Sequence, residues 1–230
     1  MKILKNKKPL INSLSTLFLG LILLIIFFIN RTPTEVLNNN ISLSDISVNV
    51  SMPNGTPSYM AYENYDEADD IVDTVVIGEV IKVNEPKELV TGETINTITG
   101  EKEPIGHIYT VSEVKVSKVI KGKYLPGDII KIKQFGGSYK EVEYDEHNMY
   151  GTVYYQAGER YLFFLVSYES ENVPCDPINP YQGDMLIKDG KTNARNKVQF
   201  IKENISEDLV VKALKERVEA LKVRADKDAK

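Results

Sequence analysis

Apolar and polar side chains follow three successive regimes along this chain. From Leu10 to Ile29 the residues are mainly apolar, and Leu17–Ile29 contains no polar side chain. From Thr74 to about Ile201, short apolar runs alternate with polar residues at a period of two, which predicts strands. Beyond Ser206, Val210, Leu214, Val218 and Leu221 recur at helical spacing and predict a C-terminal helix over 205–230 that packs on the strands. Ser206 is its expected N-cap, Glu207 and Asp208 suit its first turn, and Arg224–Lys230 form its frayed end.

The longest β pattern runs from Tyr109 to Gly137. Tyr109 and Val111 share one phase, Val114 and Val116 the other, and the phase slips again before Val119. Each slip predicts a β-bulge near Ser112–Glu113 and before Val119, because an extra residue bends and twists a strand. Leu125-Pro126-Gly127-Asp128 supplies Pro and Gly for a type II turn, and Ile130 and Ile132 alternate with lysines in the return strand. Thr74 to Val83 is apolar on both faces, with Val75, Ile77, Ile81 and Val83 on one and Val76 and Val80 on the other. That marks a central strand. Glu159–Tyr168 is expected as a core strand, Gln182–Lys188 as a short strand, Asp189-Gly190 as a hairpin turn and Val198–Ile201 as the return strand. Three prolines make Asn172–Tyr181 a loop, and 84–106 is a long polar excursion or hairpin. A long bulged strand serving both halves of one sheet suits a five-stranded, OB-like closed barrel, the alternative being a hairpin in a sandwich.

Around this core the remaining segments set the organisation. Residues 1–9 form a basic tail with Lys2, Lys5, Lys7 and Lys8, and 10–29 would cover the hydrocarbon thickness of about 30 Å as a transmembrane signal-anchor. The lysines place the N-terminus in the cytoplasm. A cleaved signal peptide is the competing reading, but Asn30-Arg31-Thr32-Pro33 is not a small-x-small cleavage site. Residues 30–58 are an Asn/Ser/Pro-rich flexible tether, and 59–204 hold the barrel, opening with a short helix over 59–73.

Charge narrows the function. Residues 1–30 contain four of the 28 basic residues and no acid, so the remainder sets 24 basic against 33 acidic side chains. Such a surface does not suit phosphate backbones, and no nucleic-acid partner is expected. One cysteine, Cys175, excludes an intramolecular disulfide framework. The Asn-, Ile- and Lys-rich composition fits an AT-rich bacterial genome.

The segments ADDIVDTVVIGEVIKV, YTVSEVKVSKVIKGKYLPGDIIKIKQFGG, AGERYLFFLV and YQGDMLIKDGK, spanning roughly residues 65–190, resemble the netrin-like domain, the OB-fold of tissue inhibitors of metalloproteinases. They are closer to uncharacterised bacterial exported proteins with the same pattern. The resemblance rests on Asp73 with Val76, Gly78 and Val80, on Lys121-Gly122, and on Gly158 with Tyr161 and Leu162. It implies a mainly β fold. The animal inhibitors use a free N-terminal Cys to chelate the protease zinc and disulfides to brace the barrel, and this chain has neither, so inhibition by that route does not carry over.

Catalytic sets are sparse. A sortase-like transpeptidase would need His107 or His147 as acid/base, Cys175 as nucleophile and Arg195 as oxyanion stabiliser. The order fits, but Val173-Pro174-Cys175-Asp176-Pro177 is not a sortase signature, and Asp176 beside the thiol would raise its pKa. Glu143, Asp145, Glu146 and His147, and the acids of 59–73, lack metal-ligand spacing and are read as solvated faces. No catalytic residue, metal or cofactor is therefore assigned. The expectation is a membrane-anchored, extracytoplasmic, non-catalytic binding module, with an extracellular protein or the cell wall as partner. Its candidate contact surfaces are 84–106 and the tyrosines Tyr139, Tyr144, Tyr150, Tyr154 and Tyr155.

Overall fold

The structure, a computed structural model, describes residues 42–48, 60–144, 153–170, 172–195 and 199–228. All belong to the compact unit Ile41–Lys230. Residues 1–29, expected from the sequence to be a basic tail and membrane span, lie outside the described residues, as do His147 and Tyr150. No helix among the described residues is long and apolar enough to cross a membrane.

The architecture is mainly β. Among the described residues there are ten strands: β1 (Thr74–Val83), β2 (Lys87–Ile95), β3 (Lys102–Lys121), β4 (Ile129–Phe135), β5 (Gly137–Tyr139), β6 (Val142–Tyr144), β7 (Arg160–Val166), β8 (Asp176–Pro177), β9 (Asp184–Lys188) and β10 (Lys191–Asn193). The same residues hold three helices: α1 (Leu43–Ile46), α2 (Tyr65–Asp69) and α3 (Glu207–Asp228). One open antiparallel sheet of eight strands runs β10-β9-β7-β1-β3-β2, with β4 added to β3 and β8 to β7, while β5 and β6 form a separate pair.

β1 is central, as its two-sided apolar pattern requires. It pairs with β3 on one edge and β7 on the other. Val76 and Val80 enter a cluster with Val114, Val116, Ile130, Ile132, Tyr161, Phe163 and Leu165, between strands of the same sheet. Val75 and Ile77 face the opposite core, with Leu162, Phe164, Met185 and Phe200 and the buried side chains of all three helices. Ile81 departs from the expected face and is exposed, because the β1–β3 register shifts between Val80 and Lys82 and leaves it as the extra residue. The same register skips Ser117 and Ile120 on β3, which is where the phase slip before Val119 goes. At Gly78 a Cβ would stand 2.5 Å from Cγ1 of Val114 and 3.0 Å from the Lys115 carbonyl oxygen, so only glycine lets β3 approach this closely.

The turns follow their chemistry. Gly127 takes φ 101, and the Asp128 N–H donates to the Leu125 carbonyl at 3.1 Å, closing the β3–β4 turn. Asp189 and Gly190 both have positive φ, 52 and 70, joining β9 to β10 as a primed turn.

The closed five-stranded barrel expected from the sequence does not form as a continuous ladder. The outer edge of β4 meets the chain at Cys175 through one isolated parallel bridge, Ile132–Cys175. Its bonds run from the Cys175 N–H to the Lys131 carbonyl at 2.8 Å and from the Lys133 N–H to the Cys175 carbonyl at 3.0 Å. Pro174 and Pro177 flank the bridging stretch and carry no N–H, which confines β8 to two residues. The segment 172–181 is thus not wholly loop, and β10, not 198–201, returns on β9. Residues 42–48, assigned to the tether, carry α1, whose Leu43 and Ile46 are buried in the helix-side core. The 84–106 region resolves into the hairpin option: β2 pairs with the first half of β3 and projects with nearly every residue exposed.

Candidate functional site

Two polar clusters border the inner core. The first is built on β9 and the stretch before β7. Asp184 opens β9 ahead of Met185, Leu186 and Ile187, and its carboxylate receives the Arg195 guanidinium, Nη1 to Oδ1 at 3.1 Å, with both side chains almost fully buried. Arg195 also donates to the carbonyls of Val153 and Tyr154, the latter at 3.0 Å. Its guanidinium lies 5.2 Å from the Tyr155 ring centre and 4.8 Å from that of Tyr161. Burial pushes the Asp184 carboxyl above its ordinary pKa, and the Arg195 charge pulls it only part of the way back. Burial likewise pushes the Tyr155 phenol well up, so it remains a neutral hydroxyl.

The second cluster sits at the β4–β8 seam. Lys133 Nζ lies 3.2 Å from Asp176 Oδ2. It stands 5.3 Å from the centre of the Tyr109 ring and 5.4 Å from that of Tyr168. The Tyr168 hydroxyl donates to the same Asp176 oxygen. A cleft of about 180 Å³ runs between the clusters, walled by Tyr109, Phe135, Tyr155, Pro177 and Pro180, with Lys133, Asp176 and Asp184 at its polar positions. A more open cleft on the other side of Lys133 reaches the hairpin arm at Leu89 and Val90.

The residues singled out from the sequence are distributed unevenly over this framework. Tyr139 is half-buried on β5, with Lys140 Nζ 4.8 Å from its ring centre. Tyr144 lies on β6, but its side chain is outside the described residues. Tyr154 donates its hydroxyl to the Phe135 carbonyl at 3.0 Å. Tyr155 is a correction: it belongs to the inner core, packed on Tyr161 and Phe163, and offers no surface. Tyrosines at adjacent positions look alike in sequence, and only the tertiary fold buries one of them.

His107, Cys175 and Arg195 are each held by different partners. The His107 ring stacks 5.7 Å from Phe135. Cys175 is buried with its Sγ 3.4 Å from the Tyr124 hydroxyl, and burial pushes its thiol pKa up. Arg195 is bound by Asp184. Among the described residues no three His, Cys, Asp or Glu side chains converge as a metal site. Of the acids of α2, read as a solvated face, Asp66 and Glu67 are exposed, Asp66 pairing there with Arg217, while the part-buried Asp69 pairs with Lys121 at 2.8 Å. Lys133, Asp176 and Asp184 were not singled out from the sequence. The one local signal was an acid immediately before the apolar run Met185–Ile187; the seam partners are too far apart in sequence to be read as a pair.

The hairpin arm carries exposed apolar residues: Val90, at the edge of the open cleft, is 67% exposed, and towards the tip Ile95 is 63% and Ile98 93% exposed. Compared with known proteins, the chain matches no family model, no curated protein and no solved structure.

Proposed function

We propose that β1, β3, β4, β7 and β8 make an OB-like, netrin-like frame and that the protein is a non-catalytic binding module, anchored in a bacterial membrane through 10–29 with its β domain outside. The neighbour order β1-β3-β4, continued by the Cys175 bridge to β8 and by β8-β7-β1, supports the frame. The observation that carries the binding role is the arm 87–105, which projects apolar side chains on a two-stranded ribbon with little core beneath it. An isolated hairpin is marginal in water, so such an arm gains stability from a partner that covers it. The partner is a protein or cell-wall polymer met outside the membrane.

The test is affinity capture on the detergent-solubilised full chain, comparing wild type with a variant bearing Val90→Ser, Ile95→Ser and Ile98→Ser. A specific partner held by the wild type and released by the variant is expected. Equal capture by both removes the arm from the reading. Loss of a measurable cell-wall attachment activity in Cys175→Ala would replace the binding role with thiol chemistry. Release of the β domain from membranes by alkaline wash, with a new N-terminus near residue 31, would end the anchor reading.

A further inference from the structure

The β4–β8 seam is where the sheet is least complete, and it places an amine directly against a carboxyl group. Lys133 and Asp176 are the residues that follow the bridged pair Ile132 and Cys175. Their side chains meet at 3.2 Å, with that of Lys133 11% exposed and that of Asp176 33% exposed. The rings of Tyr109 and Tyr168 flank Nζ, and the Tyr168 hydroxyl is hydrogen-bonded to the Asp176 oxygen nearest the amine. Burial and the adjacent Asp176 push the Tyr168 phenol above its ordinary range, so it keeps its proton and acts as a donor.

We propose that Lys133 and Asp176 condense to an intramolecular amide, a covalent cross-link between β4 and β8. The starting pair is an ammonium and a carboxylate. The reaction runs through the neutral amine and acid, formed when one proton passes from Nζ to Oδ2 across the 3.2 Å contact. The Nζ lone pair then attacks Cγ, forming the C–N bond. The Tyr168 hydroxyl steadies the charge that builds on the carboxyl oxygens. A second proton leaves nitrogen for the departing oxygen, the C–O bond breaks and water is released. One N–H remains on the amide, and no oxidant or co-reactant is consumed. Well-oriented groups held in contact react at effective molarities of up to about 10⁵–10⁸ M, which speeds the attack of Nζ on Cγ. The open cleft bordered by Tyr109, Lys133, Tyr168 and Asp176 gives the water an exit. The residue after Asp176 is Pro177, whose nitrogen has no hydrogen, so loss of water by succinimide closure does not compete at this position.

The experiment is mass spectrometry of the purified full chain, intact and after proteolysis. The wild type is expected to be lighter than its linear sequence by one water, with a branched peptide joining Lys133 to Asp176. Lys133→Arg and Asp176→Ala should have full linear mass and no branched peptide. Tyr168→Phe should slow formation, followed by mass spectrometry over time on newly synthesised chain, by about 10²-fold, the effect of removing one donor to a developing oxyanion. Recovery of Lys133 and Asp176 from the wild type in separate, unmodified linear peptides overturns the proposal. So does a missing water that persists in Asp176→Ala.

Discussion

Arg195→Ala tests whether the Asp184 cluster is the structural anchor its geometry describes. The substitution removes the charge paired with Asp184 among the described residues, at 3.1 Å, while leaving a carboxylate whose side chain is 5% exposed. Breaking a buried pair from one side costs roughly 3–5 kcal/mol, because the remaining charge has no solvent. The two carbonyls that Arg195 holds add little, since Val153 is partly exposed and rehydrates. With 13 tyrosines and no tryptophan, tyrosine fluorescence follows urea unfolding. At a slope of about 2 kcal/mol per molar, the midpoint near neutral pH should fall by about 2 M. The penalty must also depend on pH. The folded pKa of Asp184 is already raised, so its contribution to stability is fully present below the unfolded value and is lost as pH rises through the folded value. Without Arg195 that folded pKa rises further, and acidification neutralises the stranded charge, so the difference between variant and wild type shrinks as pH falls. Replacing both residues, Arg195→Met with Asp184→Leu, should recover most of the loss. A cost below about 1 kcal/mol near neutral pH, or a penalty that grows on acidification, refutes the reasoning.

Three further predictions concern other parts of the fold. Gly78→Ala should destabilise by about 1–3 kcal/mol in urea titration, as the new methyl meets Val114 and the Lys115 carbonyl; an unchanged midpoint would mean β3 can retreat freely. Cys175 should react with an alkylating reagent at least about tenfold more slowly in the native protein than in denaturant, and equal rates would contradict its burial. Burial pushes the Glu207 carboxyl up, but hydrogen bonds from Arg160 and Lys118 more than offset this and hold it below its ordinary pKa. Its stabilisation is therefore present above the unfolded pKa and lost as pH falls. The stability difference between wild type and Glu207→Gln should vanish in acid, and a constant difference across pH would remove the role assigned to those bonds.

What was legible in the sequence was local. The turn at Leu125–Asp128, the Asp189–Gly190 turn, the two-sided burial of β1 and the stripe on α3 each depend on residues close together in the chain, and each is present. The bulges were legible only in part. A phase slip shows that a ladder is irregular, but not which of two strands carries the extra residue, and at Ser112–Glu113 the extra residue lies across the ladder at Ile81. The closed barrel failed at Pro174 and Pro177, where missing donors limit the ladder more than hydrophobic pattern can show. The candidate site was the least legible part. Lys133 alternates with isoleucines like any solvent-facing strand residue, and its neighbours Tyr109, Tyr168 and Asp176 arrive from three other segments.

The central place of β1 also sets an order of events during synthesis. β3 follows it closely, but Val75 to Ile77 pair on their other edge with Leu162 to Phe164, which leave the ribosome about 5–20 s later at ordinary translation rates. Until then this central, largely buried strand has one open edge. Pairing over that separation is slow even in the complete chain, because loop closure must precede any reward from burial. The newly made protein therefore passes through a period in which holdase chaperones have a defined segment to bind, and its yield depends on how long that edge stays covered.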